Sequence, residues 1–168
     1  MAGNFFGFVM LTKDLIHWSK EPLREIYSVR QTMLHRKPAG LWFSVVGING
    51  VDEWRIWCRE HKFTRPSFNY LTEIILKPGA KMLVASNAAG IDDITAKYGS
   101  DGSRLVDWPA ISSHYQGIIA APWVFERSYT RRAGWYETWD CSCGCVWDGD
   151  AVARLRCSRN LLLPDEVA

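Results

Sequence analysis

The sequence predicts a single α+β domain, and three observations support that class. Segments with strand character and segments with helical periodicity alternate without the regular strand–helix–strand order of a doubly wound sheet. No internal repeat or linker divides the 168 residues, a length that suits one domain with a substantial core. The composition is 48% hydrophobic and 23% charged, as is typical of globular proteins. We therefore expect one domain over residues 1–168, with an N-terminal strand or arm at 1–10 and a frayed tail at 164–168.

The first half of the chain is predicted to contain both strands and helices. Ser19 is a suitable N-cap and Pro22 follows in the first turn, so we expect a helix from there to about Val29. A second helix is expected over residues 51–61, where Trp54 and Trp57 fall on one face. Apolar, β-rich runs predict strands at residues 5–11, 15–19, 41–46 and 70–76.

The second half continues this mixture of short elements. Strands are expected at residues 81–85 and 118–121, and Pro122 closes the second of them. Residues 92–98 and 107–115 are predicted to be short helices, and residues 125–134 a basic loop or helix. We expect the last strand region at residues 136–147.

The charge and the cysteine content limit the partners and the environment that we expect for the protein. The net charge of +2 is too small to establish a nucleic-acid partner by itself. The apolar start of the chain is about half a membrane span long and lacks the features of a signal peptide, so we expect no membrane partner. Five Cys without a secreted disulfide pattern indicate a reducing, cytoplasmic environment. The arginines are uneven and concentrate in two segments, with Arg127, Arg131 and Arg132 in one and Arg154, Arg156 and Arg159 in the other.

Common catalytic signatures are absent from the sequence. It contains no Walker loop, no G-x-G-x-x-G, no H-E-x-x-H and no G-x-S-x-G. The carboxylates of the C-terminal half show no spacing that singles out an acid–base pair. The usual nucleotide-binding, zinc-protease and hydrolase classes are therefore excluded.

Residues 135–147 concentrate Trp and Cys, which are bulky or usually buried residue types. This segment is either the packed centre of the domain or a site. Cys141, Cys143 and Cys145 alternate, so in a strand they project on one face, which favours small buried thiols beneath the tryptophans. The alternative is a zinc site completed by His114 or His61, although structural zinc usually takes Cys pairs with wider spacing. We therefore expect no bound metal.

Two stretches of the first half offer candidate binding residues. His17 ends an apolar strand, where its ring can hydrogen-bond a ribose hydroxyl or, as an ordinary core histidine, a backbone carbonyl. Trp42 and Phe43, followed by Ser44, offer an aromatic ring that can stack on a flat base or pyridine. The alternative is a central strand that directs the two rings to opposite faces.

Four short motifs in order resemble the ADP-ribosyltransferase superfamily, in particular its small phage and prophage proteins. H-W-S at residues 17–19 resembles the first motif, and K-P-A-G-L-W-F-S at 37–44 resembles the second. Y-Q-G-I at 115–118 resembles the turn that precedes the catalytic strand. C-V-W-D-G-D-A-V at 145–152 resembles the closing strand and turn. The order of the motifs carries most of the resemblance.

The resemblance implies split antiparallel or mixed β-sheets with flanking short helices, and a mono-ADP-ribosyltransferase that uses NAD as its substrate. It implies that NAD contacts residues of the motifs, namely His17, Trp18, Ser19, Gly40, Trp42, Phe43, Ser44 and Tyr115. The catalytic Glu of the family would fall at residues 142–144, where this sequence has no acid, so Asp140 or Glu137 just upstream is expected to replace it.

The resemblance also suggests the partner. A macromolecular acceptor, nucleic acid or protein, is expected to contact Arg127, Arg131 and Arg132, which precede the catalytic strand. The missing Glu supports a second hypothesis, a catalytically degenerate binding protein of phage origin whose partner is a host protein or nucleic acid. A phage-encoded protein of either kind would act in the host cytoplasm.

Overall fold

The computed structural model describes residues 14–47, 50–63, 68–100 and 104–160. The N-terminal strand or arm expected at residues 1–10 and the tail expected at 164–168 lie outside these ranges. Within them the chain forms a β-rich core with a few short helices. The predicted α+β class is therefore confirmed.

A mixed β-sheet forms the centre of the fold. Its strands are β1 (Asp14–Ser19), β3 (Leu41–Val46), β4 (Tyr70–Leu76), β5 (Met82–Ala85), β7 (Gly117–Ala120), β8 (Cys143–Val146) and β9 (Val152–Arg159). Their order in this seven-stranded sheet is β5-β7-β8-β3-β1-β4-β9. Neighbouring strands are antiparallel except β5 and β7, which are parallel. The short strands β2 (Leu34–His35) and β6 (Val106–Asp107) pair separately.

Short helices flank the sheet, and polar side chains cap the N-termini of the first three. They are α1 (Glu53–Glu60), α2 (Ala88–Tyr98), α3 (Trp108–Ser112) and α4 (Phe125–Ser128). Asp52 caps α1, Asn87 caps α2 and Asp107 caps α3, each by accepting a hydrogen bond from a backbone N–H in the first turn. The helices expected at 51–61 and 92–98 therefore form with shifted ends, and the one at 107–115 forms as the shorter α3.

The sheet buries one hydrophobic cluster on each face. Because strand side chains alternate, Ile118 and Cys145 belong to the first cluster and Ile119 and Val146 to the second. The first cluster also holds the fully buried indoles, which are those of Trp108, Trp135 and Trp139. The Trp- and Cys-rich segment is thus the packed centre of the domain.

The segment 136–147 contains less strand than expected. Only Cys143–Val146 pairs as a strand, and a 3₁₀ turn at Tyr136–Thr138 precedes it. Cys141 therefore lies outside the strand, and the alternation applies to Cys143 and Cys145 alone. The indole rings pack edge-to-face in this region, with Trp135 and Trp139 at 5.6 Å between centroids, which favours a compact turn over an extended strand.

The helix expected from Ser19 to Val29 is wrong, because residues 20–33 cross the surface without helical structure. The backbone N–H of Val29 donates to the carbonyl of Trp147 at 2.7 Å. The Ser28 hydroxyl donates to Asp148 at 3.2 Å and accepts from the N–H of Gly149 at 3.0 Å. These tertiary hydrogen bonds replace those of the expected helix.

Strand β9 has no counterpart among the expected elements. It pairs along β4 from Arg159 opposite Tyr70 to Val152 opposite Leu76. Most of its residues are exposed, so its sequence lacks the apolar–polar alternation that marks a half-buried strand.

Candidate functional site

Strands β1 and β3 separate part of the way along their length. They pair only between Asp14–Ile16 and Ser44–Val46. Beyond that point His17–Ser19 continue along β4, and Leu41–Phe43 continue along β8. We call the opening between these two groups of residues the fork. It brings the first and second sequence motifs to opposite sides of one opening.

His17 lies where the fork begins and supplies a hydrogen bond at the point of separation. Its Nδ1 donates to the carbonyl of Trp42 at 2.7 Å, which leaves Nε2 as the acceptor of a neutral ring. Nε2 has no partner among the residues that the structure describes. Burial lowers the pKa of His17, and the bond to the carbonyl opposes that shift. The ring is therefore neutral at physiological pH and has one acceptor free for a ligand.

A buried hydroxyl lies opposite His17 in the sheet. Thr72 of β4 is the register partner of His17, and its side chain has no exposed surface. Its Oγ1 is one of the few buried polar atoms in the described ranges with no hydrogen-bond partner. An unsatisfied buried hydroxyl costs free energy, and here it lies on the same face of the sheet as the His17 ring.

Trp18 and Ser19 are held by local contacts. The indole Nε1 of Trp18 donates to Asp52 at 2.7 Å, and the guanidinium of Arg55 lies 5.0 Å from its ring centroid. Because Asp52 also caps α1, this bond ties the fork to the start of that helix. The Ser19 hydroxyl donates to the carbonyl of Glu21 at 2.6 Å and turns the chain away from the sheet.

Trp42 is the half-buried aromatic residue of the fork. Its Nε1 donates to the carbonyl of Pro38 at 3.3 Å. The edge of Trp139 meets its ring at 5.0 Å, and the ammonium of Lys37 lies 5.0 Å from its centroid. The negative face of an indole ring attracts cations, and Lys37 already occupies that position over Trp42.

The other residues expected to bind NAD in the second motif have structural roles. Phe43 and Ser44 are each only 3% exposed, and the Ser44 hydroxyl donates to the carbonyl of Ile16 at 3.3 Å. Gly40 has φ of 147°, and a Cβ at this position would overlap the carbonyl oxygen of Val146. These three residues shape the strand pair. His17 and Trp42 retain exposed surface but project from opposite faces of the sheet, because His17 alternates with Leu15 of the second cluster and Trp42 packs against the first.

Tyr115 lies at the same end of the sheet but contributes its backbone. Its carbonyl accepts a hydrogen bond from Nε1 of Trp147 at 2.8 Å, and its ring packs against the first core cluster. The contact orients Trp147 at the end of β8.

The two candidate carboxylates differ in environment. Burial raises the pKa of Asp140, and electrostatic interaction with the nearby Lys37 and His61 opposes that rise. Glu137 is exposed and lies 3.7 Å from Arg36. Water therefore screens the charge of Asp140 less than that of Glu137. Asp140 also interacts electrostatically with Lys37, the residue that lies over the ring of Trp42.

Glu53 was missed by the sequence analysis. It begins α1, and its Oε2 accepts a hydrogen bond at 2.7 Å from the backbone N–H of Ser142, just before β8. The structure thus brings a carboxylate to the residues where the resemblance leads one to expect Glu. An acid in the first turn after the Asp52 cap was the only signal in the sequence, and it is equally typical of ordinary helices.

The three arginines expected to bind an acceptor are not equivalent. Arg127 forms a bidentate ion pair with Asp92, with both N–O distances at 2.7 Å. This pair raises the pKa of Arg127 and lowers that of Asp92. Arg131 and Arg132 lie exposed in the following 3₁₀ turn. Arg127 is thus already paired, and the two neighbouring guanidinium groups are the accessible ones.

The cysteines are free thiols. Burial raises the pKa of Cys58 to about 11 and raises the pKa of Cys145 as well. A hydrogen bond with Cys143, together with burial, raises the pKa of Cys141. Raised pKa values disfavour the thiolate, which is both the nucleophile and the metal ligand. Within the described ranges no group of three or more His, Cys, Asp or Glu side chains is arranged to hold a metal ion.

No protein-family model, curated protein or solved structure matches this chain. None of the helices in the described ranges has both the length and the hydropathy needed to cross a bilayer.

Proposed function

We propose that the protein is an ADP-ribosyltransferase-like domain that binds NAD at the fork and transfers ADP-ribose to a macromolecular acceptor. One observation carries this proposal. The stretch that resembles the first motif lies in β1, the one that resembles the second ends in β3, and the one that resembles the closing motif begins in β8; these three strands are adjacent in one sheet. Motifs far apart in sequence need such adjacency to act on a single ligand.

The chemistry of the fork suits the nicotinamide end of NAD. The free Nε2 of neutral His17 accepts a hydrogen bond from a ribose hydroxyl. Trp42 projects from the opposite face of the sheet, so it contributes its backbone carbonyl, which accepts from Nδ1 and orients the His17 ring. In the reaction, the bond between nicotinamide and ribose breaks, the acceptor bonds to the ribose carbon and loses a proton, and neutral nicotinamide leaves.

Asp140 is the proposed carboxylate. Positive charge develops on the ribose as nicotinamide leaves, and a half-buried carboxylate stabilises such charge more strongly than an exposed one. Glu137 is exposed and faces Arg36, so its charge is partly compensated. Glu53 is held by the N–H of Ser142 and serves as the comparison in mutagenesis.

The acceptor contacts in this proposal are Arg131 and Arg132. Their exposed guanidinium groups attract an anionic acceptor, either nucleic acid or an acidic protein surface. Arg127 instead anchors α4 to α2 through its pair with Asp92.

Calorimetry with NAD tests the binding step. We expect saturable heat with the unchanged protein and about tenfold weaker binding for His17→Ala, which corresponds to the loss of one hydrogen bond. His114→Ala is the matched control, because His114 is exposed outside the fork. Two outcomes contradict NAD binding at the fork. One is the absence of heat at about millimolar NAD, which corresponds to weak binding. The other is equal affinity for NAD in the His17→Ala and His114→Ala variants.

Measurement of nicotinamide release with candidate acceptors tests the carboxylate. Asp140→Asn is expected to abolish most of the turnover, while Glu137→Gln retains it. If Glu53→Gln loses turnover and Asp140→Asn retains it, Glu53 is the carboxylate that supports the reaction. Retention in all three variants contradicts a carboxylate-assisted reaction.

A catalytically degenerate binding protein is the second candidate. It is favoured by the buried, acid-free start of β8, where Ser142, Cys143 and Gly144 occupy the family's catalytic position. An exposed aromatic pair, Phe125 at 62% and Tyr129 at 75%, adjoins the accessible arginines and suits contact with a host protein or nucleic acid. Partner capture that survives in Asp140→Asn without any NAD binding would favour this candidate.

A further inference from the structure

A polar groove lies between residues 20–33 and the start of β9. Its volume is about 250 Å³, and Arg24, Gly149, Arg154 and Leu155 are among the residues that line it. The two walls meet closely because Gly149 has no side chain. A Cβ on Gly149 would lie 2.6 Å from the carbonyl oxygen of Ile26. The fold itself therefore holds two arginines around one concavity.

Neither of these guanidinium groups has a partner in the described part of the chain. Two nearby carboxylates accept hydrogen bonds from neutral groups and do not pair with either arginine. Glu25 accepts a hydrogen bond from the hydroxyl of Tyr27, and Asp148 accepts hydrogen bonds from Gln116 at 2.8 Å and from Ser28. These bonds lower the pKa of Asp148, with the Gln116 bond as the largest cause. Neither arginine is therefore neutralised by an ion pair within the described residues, and both can contact an external anion.

The arginines continue along β9. Arg154 lies opposite Ile75 and Arg156 opposite Glu73, so both project on the same face of the sheet, about 7 Å apart along the strand. Arg156 forms an exposed ion pair with Glu73 at 3.2 Å, of the kind that is weak in water and readily exchanged. A polymer with phosphates at regular intervals can contact these groups in succession.

An exposed aromatic residue follows a groove-lining residue in the sequence. Tyr27 follows the groove residue Ile26, and 70% of its surface is exposed. A flat exposed ring beside guanidinium groups is the arrangement on which unpaired bases stack while their phosphates are held. A planar lipid surface would use neither the concavity nor the ring in this way.

We propose that this groove and the adjoining face of β9 bind a single-stranded nucleic acid. The forked guanidinium groups of Arg24 and Arg154 bind one phosphate in the groove, because each presents paired N–H donors to two phosphate oxygens. Arg156 binds the next phosphate, and a base stacks on Tyr27. The groove is separate from the fork, and its test needs no NAD.

Fluorescence anisotropy with a labelled single-stranded DNA of mixed sequence, titrated with the full chain over a range of salt concentrations, tests the proposal. Arg24→Gln and Arg154→Gln are each expected to weaken binding about tenfold and to lower the salt dependence by about one unit of slope. Arg104→Gln is the matched control, because Arg104 is also exposed but lies outside the groove. All three variants should unfold at the same temperature as the unchanged protein.

Variants of Tyr27 separate stacking from charge. Tyr27→Ser should weaken binding several-fold without altering the salt dependence, whereas Tyr27→Phe keeps the ring and should retain binding. Equal loss in both variants overturns the stacking part of the proposal.

Two competitors distinguish other sources of phosphate. Inorganic phosphate should displace the DNA only at a large excess, because it can make only one of the repeated contacts. Displacement by equimolar phosphate overturns the proposal in favour of a small-anion site. Binding to phosphatidylserine vesicles that is lost in Arg24→Gln, without binding of DNA, overturns it in favour of a membrane surface. The proposal is also overturned if Arg24→Gln and Arg154→Gln bind DNA as tightly as the control variant Arg104→Gln.

Discussion

Replacement of Gly40 by Ala tests whether this residue serves packing rather than ligand binding. Residues other than glycine rarely adopt a φ of 147°, and such backbone strain costs about 1–3 kcal/mol. The added Cβ would overlap the carbonyl oxygen of Val146 and lie 2.9 Å from Sγ of Cys145, and overpacking costs about 1–3 kcal/mol more. We expect a total loss of about 2–6 kcal/mol, a large part of the roughly 5–15 kcal/mol that stabilises a typical domain.

Two further glycines separate the contributions. Gly79 has φ of 88° but no atom within 4 Å of an added Cβ, so Gly79→Ala reports backbone strain alone. Gly144 lacks the positive φ, but its Cβ would lie 2.6 Å from the ring of Phe43 and 2.5 Å from the carbonyl oxygen of Ile118. Gly144→Ala therefore reports crowding alone.

Urea unfolding followed by tryptophan fluorescence measures all three variants. The Gly40 variant should lose more stability than either of the others, with the slope of the transition unchanged. If Gly40→Ala loses no more than Gly79→Ala, the strand pair relaxes around the new methyl group and the argument from close approach is refuted.

Three other predictions concern buried groups. Trp135→Phe should cost about 1 kcal/mol more than Trp139→Phe, because the Trp135 indole donates to Thr95 at 2.9 Å, whereas that of Trp139 has no partner in the described ranges. A thiol reagent should modify Cys157 alone in the native protein and all five thiols after denaturation, since the other four are buried. Asp140→Asn should raise the free energy of unfolding at neutral pH. Burial raises the pKa of Asp140 in the folded state, so the charged form is disfavoured there. In urea unfolding measured against pH, the gain should be present above the folded pKa and vanish below the ordinary value near 3.9.

Each of these predictions has a contradicting result. Equal costs for the two tryptophan variants mean that the hydrogen bond to Thr95 adds nothing to stability. A fast native reaction that persists in Cys157→Ser places an accessible thiol elsewhere. A stability difference in Asp140→Asn that does not change with pH means that the effect is not due to the carboxylate charge.

Local signals in the sequence predicted the elements that satisfy their own hydrogen bonds or follow one clear pattern. The strand expected at 70–76 matches β4, and the helix expected at 51–61 contains α1 with its Asp52 cap. The cap, the apolar spacing and the β-rich composition all act within a few residues, so the surrounding fold does not override them.

Local sequence signals gave the wrong element where residues distant in the chain supply the hydrogen-bond or strand partners. Ser19 and Pro22 are typical of a helix start, yet residues 20–33 take hydrogen-bond partners from 147–149 instead. The strand β9 was missed because both its faces are largely exposed, and only pairing with β4 makes it a strand.

The candidate site shows the same division. His17 and Trp42 were singled out as candidates by their residue types and neighbours alone. Glu53 was missed because only the packing of α1 brings its carboxylate to Ser142, which is 89 residues away in sequence.

The sequence by itself determined the α+β class and the residues of the candidate motifs, and it limited the Trp- and Cys-rich segment to a packed centre or a site, because apolar periodicity and residue size act locally. Only the tertiary structure decided that β1 and β3 separate after Ile16, that the ring of His17 bonds the carbonyl of Trp42, and that Arg24 meets Arg154 across a groove. Strand pairing and side-chain convergence join residues far apart in the chain, and no local pattern specifies which of the competing partners is chosen.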